Sequence, residues 1–232
     1  MDIVHTEEYK GKIIKIVHDD YPENPRGWEN RAIMACTHSK YLLGDKSFRD
    51  SKMDIEGLII SLWLDHATES EFQSKILKDL PKYNTSKIDL SEIGDTWKDR
   101  FDYLYNSYDA CINIMGNSDE DLELPLAITW SFLYLYDHSG ITISMNPFSC
   151  RFDSGIVGII YMIDDPKNPI SLEEQYKIMR QETKTYDDYI RGNCYGFQIL
   201  DSEDNELDSC YGFIGDWYEY CLSEAKHFID SI

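Results

Sequence analysis

Two short polar turns in the middle of the sequence contain the residues best suited to chemistry. They are residues 136–140 (YDHSG) and 147–155 (PFSCRFDSG). Together they offer His138, Cys150 and Asp153, which could act as a base, a nucleophile and an orienting carboxylate. This combination predicts a cysteine- and histidine-dependent hydrolase or a nucleotide-processing enzyme, provided that the two turns lie side by side.

The same two turns also permit interpretations without catalysis. No G-x-S-x-G or papain-type C-G-S-C-W signature surrounds Cys150. Asx turns, an ion pair between Arg151 and a neighbouring aspartate, and a small apolar Cys150 would explain these residues as structure. Arg151 is also a candidate ligand for an anionic signalling nucleotide, which the protein would then sequester. The sequence leaves these alternatives open.

The sequence predicts neither a metal site nor a cofactor. Cys36 and His38 would share one face of a strand, but this is one pair, without C-x-x-C or H-E-x-x-H. The phosphate-binding patterns G-x-x-x-x-G-K-[ST] and G-x-G-x-x-G do not occur either. We therefore expect no bound metal and no nucleotide cofactor.

The elements that position these turns follow from hydrophobic patterning. Residues 124–163 contain only three charged side chains, Asp137, Arg151 and Asp153, so this segment should be central to the core. Strands are predicted at 12–18, 32–38, 126–136, 141–145, 156–163, 194–200 and 210–215, and helices at 54–79, from Ser171 to Gly192 and at 216–230. The strand at 126–136 is apolar on both faces and should be central.

The order of these elements predicts the fold class. Helices come in blocks rather than alternating with strands, which favours α+β over a Rossmann-type fold. We expect a largely antiparallel central sheet with helices packed on it. Since no linker or long repeat is evident, 1–232 is predicted to be a single compact domain with an acidic helical insertion at approximately 51–121.

The chain carries a large excess of acidic over basic residues. It has 43 acidic and 22 basic residues, a net charge of −21, with 42% hydrophobic and 13% aromatic residues. This composition excludes a disordered acidic tail and disfavours direct binding to nucleic acid or to an anionic membrane. Residues 171–232 contain 14 acids and 5 bases, whereas residues 1–50 are nearly neutral.

Two acidic segments are candidate binding surfaces for a protein partner. A helix predicted at 90–115 and capped by Asp89 would place a row of carboxylates opposite its apolar face, and a predicted hairpin loop contains a second group. Both could imitate phosphates towards a basic groove, although a solvated helix face, a hydrated hairpin tip or a cation site would explain them too. The candidates are Asp95, Asp99, Asp102 and Asp109 in the helix, and Asp201, Glu203, Asp204, Glu206 and Asp208 in the loop.

The sequence predicts a cytoplasmic protein. Residues 1–10 (MDIVHTEEYK) lack the basic start and apolar core of a signal peptide, and no apolar run is long enough to cross a bilayer. The six cysteines are scattered without short paired spacings, which is typical of reduced thiols. The oligomeric state is not predictable from these features.

Several sequence blocks together resemble a family of functionally uncharacterised proteins encoded by bacteriophages and other mobile elements. The blocks are 23–30 (ENPRGWEN), the strand of Cys36 and His38 leading to 41–45 (YLLGD), 133–140 (LYLYDHSG), 147–161 (PFSCRFDSGIVGIIY), 182–197 (ETKTYDDYIRGNCYGF) and 208–218 (DSCYGFIGDWY). Members of that family tend to have Trp where this chain has Phe152 and Tyr211. The resemblance implies a phage protein acting inside an infected bacterium, and it implies no activity.

Combined with the acidic surfaces, this context predicts a non-enzymatic protein that binds and inhibits a host nucleic-acid-handling defence factor. Such a factor would be a CRISPR effector or a restriction enzyme, and the inhibition would work by nucleic-acid mimicry. The expected partner is a bacterial protein with a basic nucleic-acid-binding surface. The hydrolase and the nucleotide-sequestering protein remain the alternatives.

Overall fold

A computed structural model describes residues 2–47, 55–71, 74, 96, 99, 124–150 and 152–231. Within them the chain forms two sheets, mostly antiparallel, together with helices, so the predicted α+β class is confirmed. The strands are β1 (Ile3–Tyr9), β2 (Lys12–His18), β3 (Ile33–Cys36), β4 (Lys46–Ser47), β5 (Ile128–Asp137), β6 (Ile141–Ser144), β7 (Ser154–Ile163), β8 (Cys194–Leu200) and β9 (Glu206–Ile214). The helices are a short 3-10 helix (Pro25–Gly27), α1 (Ile55–His66), α2 (Leu172–Ile190), a π-helix (Trp217–Cys221) and α3 (Leu222–Ser231).

The chain divides into two compact units, each assembled from several stretches. The first comprises Met1–Arg31, Phe132–Ile156 and Lys177–Ile232, and the second comprises Ala32–Ser131 and Val157–Tyr176. The single-domain organisation stays a prediction, and most of the proposed insertion at 51–121 lies outside the described residues.

The first unit contains a four-stranded sheet in the order β1-β2-β8-β9, hereafter the first sheet. Because side chains alternate along a strand, Ile14 and Ile16 share one face of β2, opposite Ile199 and Phe197 of β8. Helix α3 packs on this face. Burying each such isoleucine or phenylalanine stabilises the fold by about 1.5–3 kcal/mol. The core completed by the helices contains Tyr195, Cys221, Leu222, Ala225 and Ile229 as well.

Polar contacts also attach the C-terminal helices to β1. Lys226 of α3 lies 2.8 Å from a carboxylate oxygen of Glu7, and the Trp217 ring stacks on His5 with centroids 5.0 Å apart. The hydrogen bond from Lys226 holds the pKa of Glu7 below its usual range. Strand β1 was not predicted from the sequence, because His5 to Glu8 are polar and break the apolar alternation.

Strands β8 and β9 form the hairpin that the sequence predicts, and they pair two copies of the tetrapeptide CYGF. Gly196 lies opposite Tyr211, where a Cβ atom would overlap the tyrosine ring. Gly212 forms a bulge at a φ of 92°, and its N–H donates to Asp19 at 3.1 Å. Strand β9 begins at Glu206, so Glu206 and Asp208 lie on a strand rather than in the predicted loop.

A second sheet has the order β4-β3-β7-β5-β6. The predicted single central sheet is therefore two sheets. Strand β5 is an inner strand, as its apolar faces indicate, but the middle position belongs to β7, which is buried from Val157 to Met162. Gly158 of β7 allows close approach of the Ala35 carbonyl on β3, because any side chain there would overlap it.

Helix α1 is shorter than the sequence predicts. It ends at His66, where the expectation was one helix over 54–79. Thr68 and Glu71 explain the interruption, since the Thr68 N–H donates to the Glu71 carboxylate at 2.8 Å and the Glu71 N–H donates to the Thr68 hydroxyl at 3.3 Å. Such a reciprocal pair is a capping box, which marks a new helix start.

Candidate functional site

The two polar turns predicted from the sequence meet at one end of β5 and β7. The Asp137 N–H donates to the Asp153 carbonyl at 2.8 Å, and the Ser154 hydroxyl donates to the Cys150 carbonyl. The Asp153 carboxylate then contacts both other candidates. Its Oδ2 lies 3.5 Å from His138 Nδ1 and accepts from the Cys150 thiol at 3.5 Å. All three predicted catalytic candidates are thus within one cluster.

The order of the three groups differs from that of a cysteine-dependent triad. In such a triad the imidazole lies between the nucleophile and the carboxylate, so that it can take the nucleophile's proton. Here Asp153 lies between Cys150 and His138. The cluster therefore has the residue types of a triad without its sequence of contacts.

The surroundings of the cluster are open to solvent. The His138 side chain is 64% exposed, and Phe152 is 99% exposed beside Asp153. Ser139 adopts a left-handed φ of 58°, which closes the turn between β5 and β6 tightly and directs the chain back. Arg151, the candidate nucleotide ligand, lies outside the described residues.

The acidic helix predicted at 90–115 lies almost entirely outside the described residues, including Asp95, Asp102 and Asp109. Asp99 is exposed and accepts from the Thr96 N–H at 3.1 Å and from the Thr96 hydroxyl at 2.7 Å. These bonds lower the pKa of Asp99. Because Thr96 lies in a bend, the predicted continuous helix does not extend through it, and Asp99 has a capping role.

Two carboxylates of the second acidic segment build its turn. Asp201 accepts from the Glu203 N–H at 2.8 Å and from the Asn205 N–H at 2.9 Å. The hydrogen bonds from Asn205 lower the pKa of Asp201. Asp204 has a left-handed φ of 63° and lies 4.0 Å from Lys15. Asp201 thus builds the turn and Asp204 forms an ion pair, so the carboxylates of this segment without an ion pair are Glu203, Glu206 and Asp208.

Uncompensated carboxylates continue beyond the hairpin. Asp187, Asp188 and Asp230 each form an ion pair with a lysine or arginine. By contrast, a run of carboxylates from the hairpin to α3 forms no ion pair with any other residue that the structure describes. These are Glu203, Glu206, Asp208, Asp216, Glu219 and Glu224. One of them, Asp216, caps the π-helix by accepting from the Tyr218 N–H at 2.8 Å.

Exposed tyrosines accompany these acids. Tyr218 is 65% exposed, Tyr220 58% and Tyr211 36%. The π-helix that holds Tyr218 and Tyr220 packs against β9. We call the combined set the acid–tyrosine surface, and its members lie on both faces of the first sheet at its outer strand. Glu206 and Tyr211 lie opposite Leu200 and Gly196 on the face away from α3, whereas Asp208 lies opposite Ile199 on the α3 face. The members are Glu203, Glu206, Asp208, Tyr211, Tyr218, Glu219, Tyr220 and Glu224.

An open cleft of about 650 Å³ lies between the end of β9 and three members of this surface, Glu219, Tyr220 and Glu224. Residues 212–214 of β9 form one wall, and Glu219, Tyr220, Ser223 and Glu224 form the other. We call it the β9 cleft. The cleft is not predicted from the sequence, although the three aromatic residues around Glu219 in 217–220 (WYEY) are a visible signal. The π-helix was not predictable from the sequence, because π-helices are rare. Where they do occur, they are frequently at functional sites.

The described cysteines are free thiols in two environments. Burial raises the pKa of Cys194 to about 11 and that of Cys221 to about 12. Cys36 is also buried, Cys150 is partly buried, and Cys210 is exposed. Over these same parts of the chain, no group of three or more His, Cys, Asp or Glu side chains is arranged to hold a metal ion.

No helix among the described residues has the length and apolar character needed to cross a membrane. Comparison of the chain with protein-family models, with curated proteins and with solved structures gives no match. The resemblance to phage and mobile-element proteins therefore stays a prediction, and the function has to be argued from the residues.

Proposed function

We propose that this protein is a non-enzymatic binding protein whose acid–tyrosine surface binds a basic protein. The observation that supports this most directly is that five carboxylates without ion pairs among the described residues occur in the same hairpin and helices as three exposed tyrosines. These carboxylates are Glu203, Glu206, Asp208, Glu219 and Glu224. Carboxylates placed for stability are commonly paired or used as caps, as Asp187 and Asp216 are. Exposed tyrosines beside the acids add the amphipathic side chains that dominate binding energy at interfaces.

The partner that fits this surface is a host protein with a nucleic-acid-binding groove lined by Lys and Arg. A negative surface attracts such a groove over a distance and increases the association rate. Acting as a phage-encoded inhibitor of a defence factor in the bacterial cytoplasm, the protein would occupy the groove in place of DNA or RNA. Binding would exclude the nucleic acid, so inhibition would require no catalysis.

A capture experiment tests the proposal. The protein is immobilised and incubated with nuclease-treated bacterial lysate, and bound proteins are identified by mass spectrometry. The test variant neutralises four carboxylates, Glu206→Gln, Asp208→Asn, Glu219→Gln and Glu224→Gln. The matched control neutralises four other exposed acids without ion pairs, Asp2→Asn, Glu8→Gln, Glu23→Gln and Glu29→Gln.

We expect the wild type and the control to capture a basic nucleic-acid-binding protein that double-stranded DNA displaces. The test variant should bind it at least about tenfold more weakly, because several interface charges are lost together. Capture that persists unchanged in the test variant, or a captured partner that is not basic, would contradict the proposal.

A second candidate function, cysteine-dependent hydrolysis, is favoured by one observation, the shared contact of His138 and Cys150 with Asp153. Its test is the rate at which iodoacetamide modifies Cys150 in the wild type and in His138→Ala. If His138 activates the thiol, its removal slows modification at neutral pH. Equal rates would eliminate the enzyme interpretation and leave the cluster as a structural turn.

A further inference from the structure

Strand β9 is the outer strand of the first sheet. It pairs with β8 along one side, and none of the described strands pairs with its other side. An outer strand presents backbone N–H and C=O groups to any extended chain that approaches. Proteins therefore either protect such an edge or use it to bind a partner's strand.

Charge disfavours a second copy of the same strand in one register. In an antiparallel pair of β9 strands centred on Leu207, Glu206 of each copy would lie opposite Asp208 of the other, and like charges directly opposite are destabilising. Bulges interrupt the regular pairing with β8 at Leu207 and Gly212. The charge favours a chain of opposite sign, for which the two carboxylates are attractive.

The β9 cleft lies beside the last three residues of this strand. Its wall of Glu219 and Glu224 places two carboxylates without ion pairs next to the backbone of Gly212, Phe213 and Ile214. A strand added to β9 would direct alternate side chains to the same face, since the side-chain period is two residues. Lysine or arginine side chains at alternate positions would then reach both carboxylates, and Tyr220 would cover their aliphatic parts.

We propose that β9 binds a basic, extended segment of the partner protein as an additional strand, with the segment's Lys or Arg side chains in the β9 cleft. This inference rests on the proposed function and specifies which part of the acid–tyrosine surface makes the backbone contacts. Charge complementarity selects the occupant, and backbone pairing fixes its direction and register.

Synthetic peptides test the strand addition with the intact protein. The probe is an eight-residue peptide alternating Lys and Val, acetylated and amidated, whose binding is measured by fluorescence anisotropy. One comparison peptide has Glu in place of Lys. Another is N-methylated at every second residue, which removes backbone donors without changing the charge.

We expect the Lys peptide to bind, the Glu peptide not to bind, and N-methylation to weaken binding at least about tenfold, because ladder hydrogen bonds are lost. Amide hydrogen exchange should slow in residues 206–214 of the protein on binding. The double variant Glu219→Gln and Glu224→Gln should bind the Lys peptide at least about fivefold more weakly than the wild type does. Its control, Asp2→Asn with Glu8→Gln at the β1 side of the sheet, should bind as the wild type does.

The outcomes separate this inference from the proposed function. Unchanged affinity after N-methylation, protection at β1 instead of β9, or protection of 206–214 without peptide at high protein concentration would each overturn the strand addition. If the captured basic partner still depends on the acid–tyrosine surface in those cases, the proposed function stands. Failure of both the peptide and the charge-dependent capture would overturn both.

Discussion

The side chain of Arg26 is only 3% exposed, and its guanidinium lies 2.8 Å from a carboxylate oxygen of Glu182. Glu182 also accepts from the Arg31 N–H at 2.8 Å. Asn24 caps the short helix around Arg26 by accepting its N–H at 2.9 Å. One ion pair thus joins two of the sequence blocks on which the family resemblance depends, 23–30 and 182–197, and gives them a structural role in common.

Replacement of Arg26 by Met should lower the free energy of unfolding by about 3 kcal/mol, because Glu182 would keep a buried charge without its partner. Urea denaturation followed by circular dichroism measures the change. Arg180→Met is the control, since Arg180 is exposed on the same helix as Glu182 and its loss should change stability by less than about 0.5 kcal/mol. Equal losses of unfolding free energy in the two variants would show that the buried ion pair stabilises the protein no more than an exposed arginine does.

Thiol reactivity provides a second test at this scale. Under native conditions at pH 8, iodoacetamide should modify Cys210 first and Cys150 more slowly. Cys194 and Cys221 should stay unmodified, because burial denies access and raises the pKa of both thiols. Peptide mass spectrometry measures the extent at each site, and the urea-unfolded protein is the control in which all four should react. Early modification of Cys221 would contradict the packing of the π-helix against the first sheet.

The sequence predicted which residues of the two turns could form a chemical cluster, but it did not predict how they are arranged. Strand patterning placed His138, Cys150 and Asp153 in turns that leave neighbouring strands, so their proximity was predictable. The position of Asp153 between the other two was not, because it depends on the backbone bond between Asp137 and Asp153 and on the left-handed Ser139.

At the scale of elements, the β8–β9 hairpin shows how a repeated tetrapeptide can have two different environments. In β8 the residues of CYGF are buried, whereas in β9 Cys210 to Gly212 are exposed. The antiparallel register sets Gly196 against Tyr211, so that the aromatic ring covers the glycine. Tyr211 also receives a hydrogen bond of 3.4 Å from Gln198.

Gly196→Ala should destabilise the protein by about 1–3 kcal/mol, because the new methyl group would overlap the Tyr211 ring. Gly155→Ala in β7 is a matched control, since its added methyl group meets nothing within 4 Å. Thermal unfolding measures both. In a Tyr211→Ser background, Gly196→Ala should cost less stability, because the overlapping ring is absent. An unchanged loss of stability would show that the overlap with Tyr211 is not its cause.

Alternating or continuous apolar runs made most strands predictable, including β2, β5, β7 and β8. Strand β1 was missed because its pairing with β2 and its contacts to α3 compensate for a polar sequence. The end of α1 was misplaced because a capping box lies within an otherwise helical pattern. In both cases a specific contact overrode the local periodicity.

At the scale of the whole molecule, charge repulsion opposes folding. With 43 acids and 22 bases, the folded chain brings many carboxylates closer together than the unfolded chain does. The composition made this predictable. Only the structure shows which carboxylates form ion pairs, which cap helices and which do neither, since ion pairs such as Lys10 with Asp230 join residues far apart in sequence.

Raising NaCl from 20 mM to 500 mM at pH 7 should stabilise the protein, because screening over about 10 Å or less weakens the general repulsion. The urea midpoint should therefore increase with salt. The four-fold neutralised variant of the acid–tyrosine surface should already have a higher midpoint at low salt and should gain less from added NaCl. A midpoint that falls with salt would mean that surface ion pairs outweigh the repulsion.

The first sheet joins strands that are far apart in the order of synthesis. β1 and β2 are synthesised well before β8 and α3, which follow residue 190 and cover Ile14 and Ile16. Throughout translation of the intervening chain, this early hairpin has an apolar face without its native cover. A chain that stops before residue 190 would lack two of the four strands of the first sheet and would leave this apolar face uncovered.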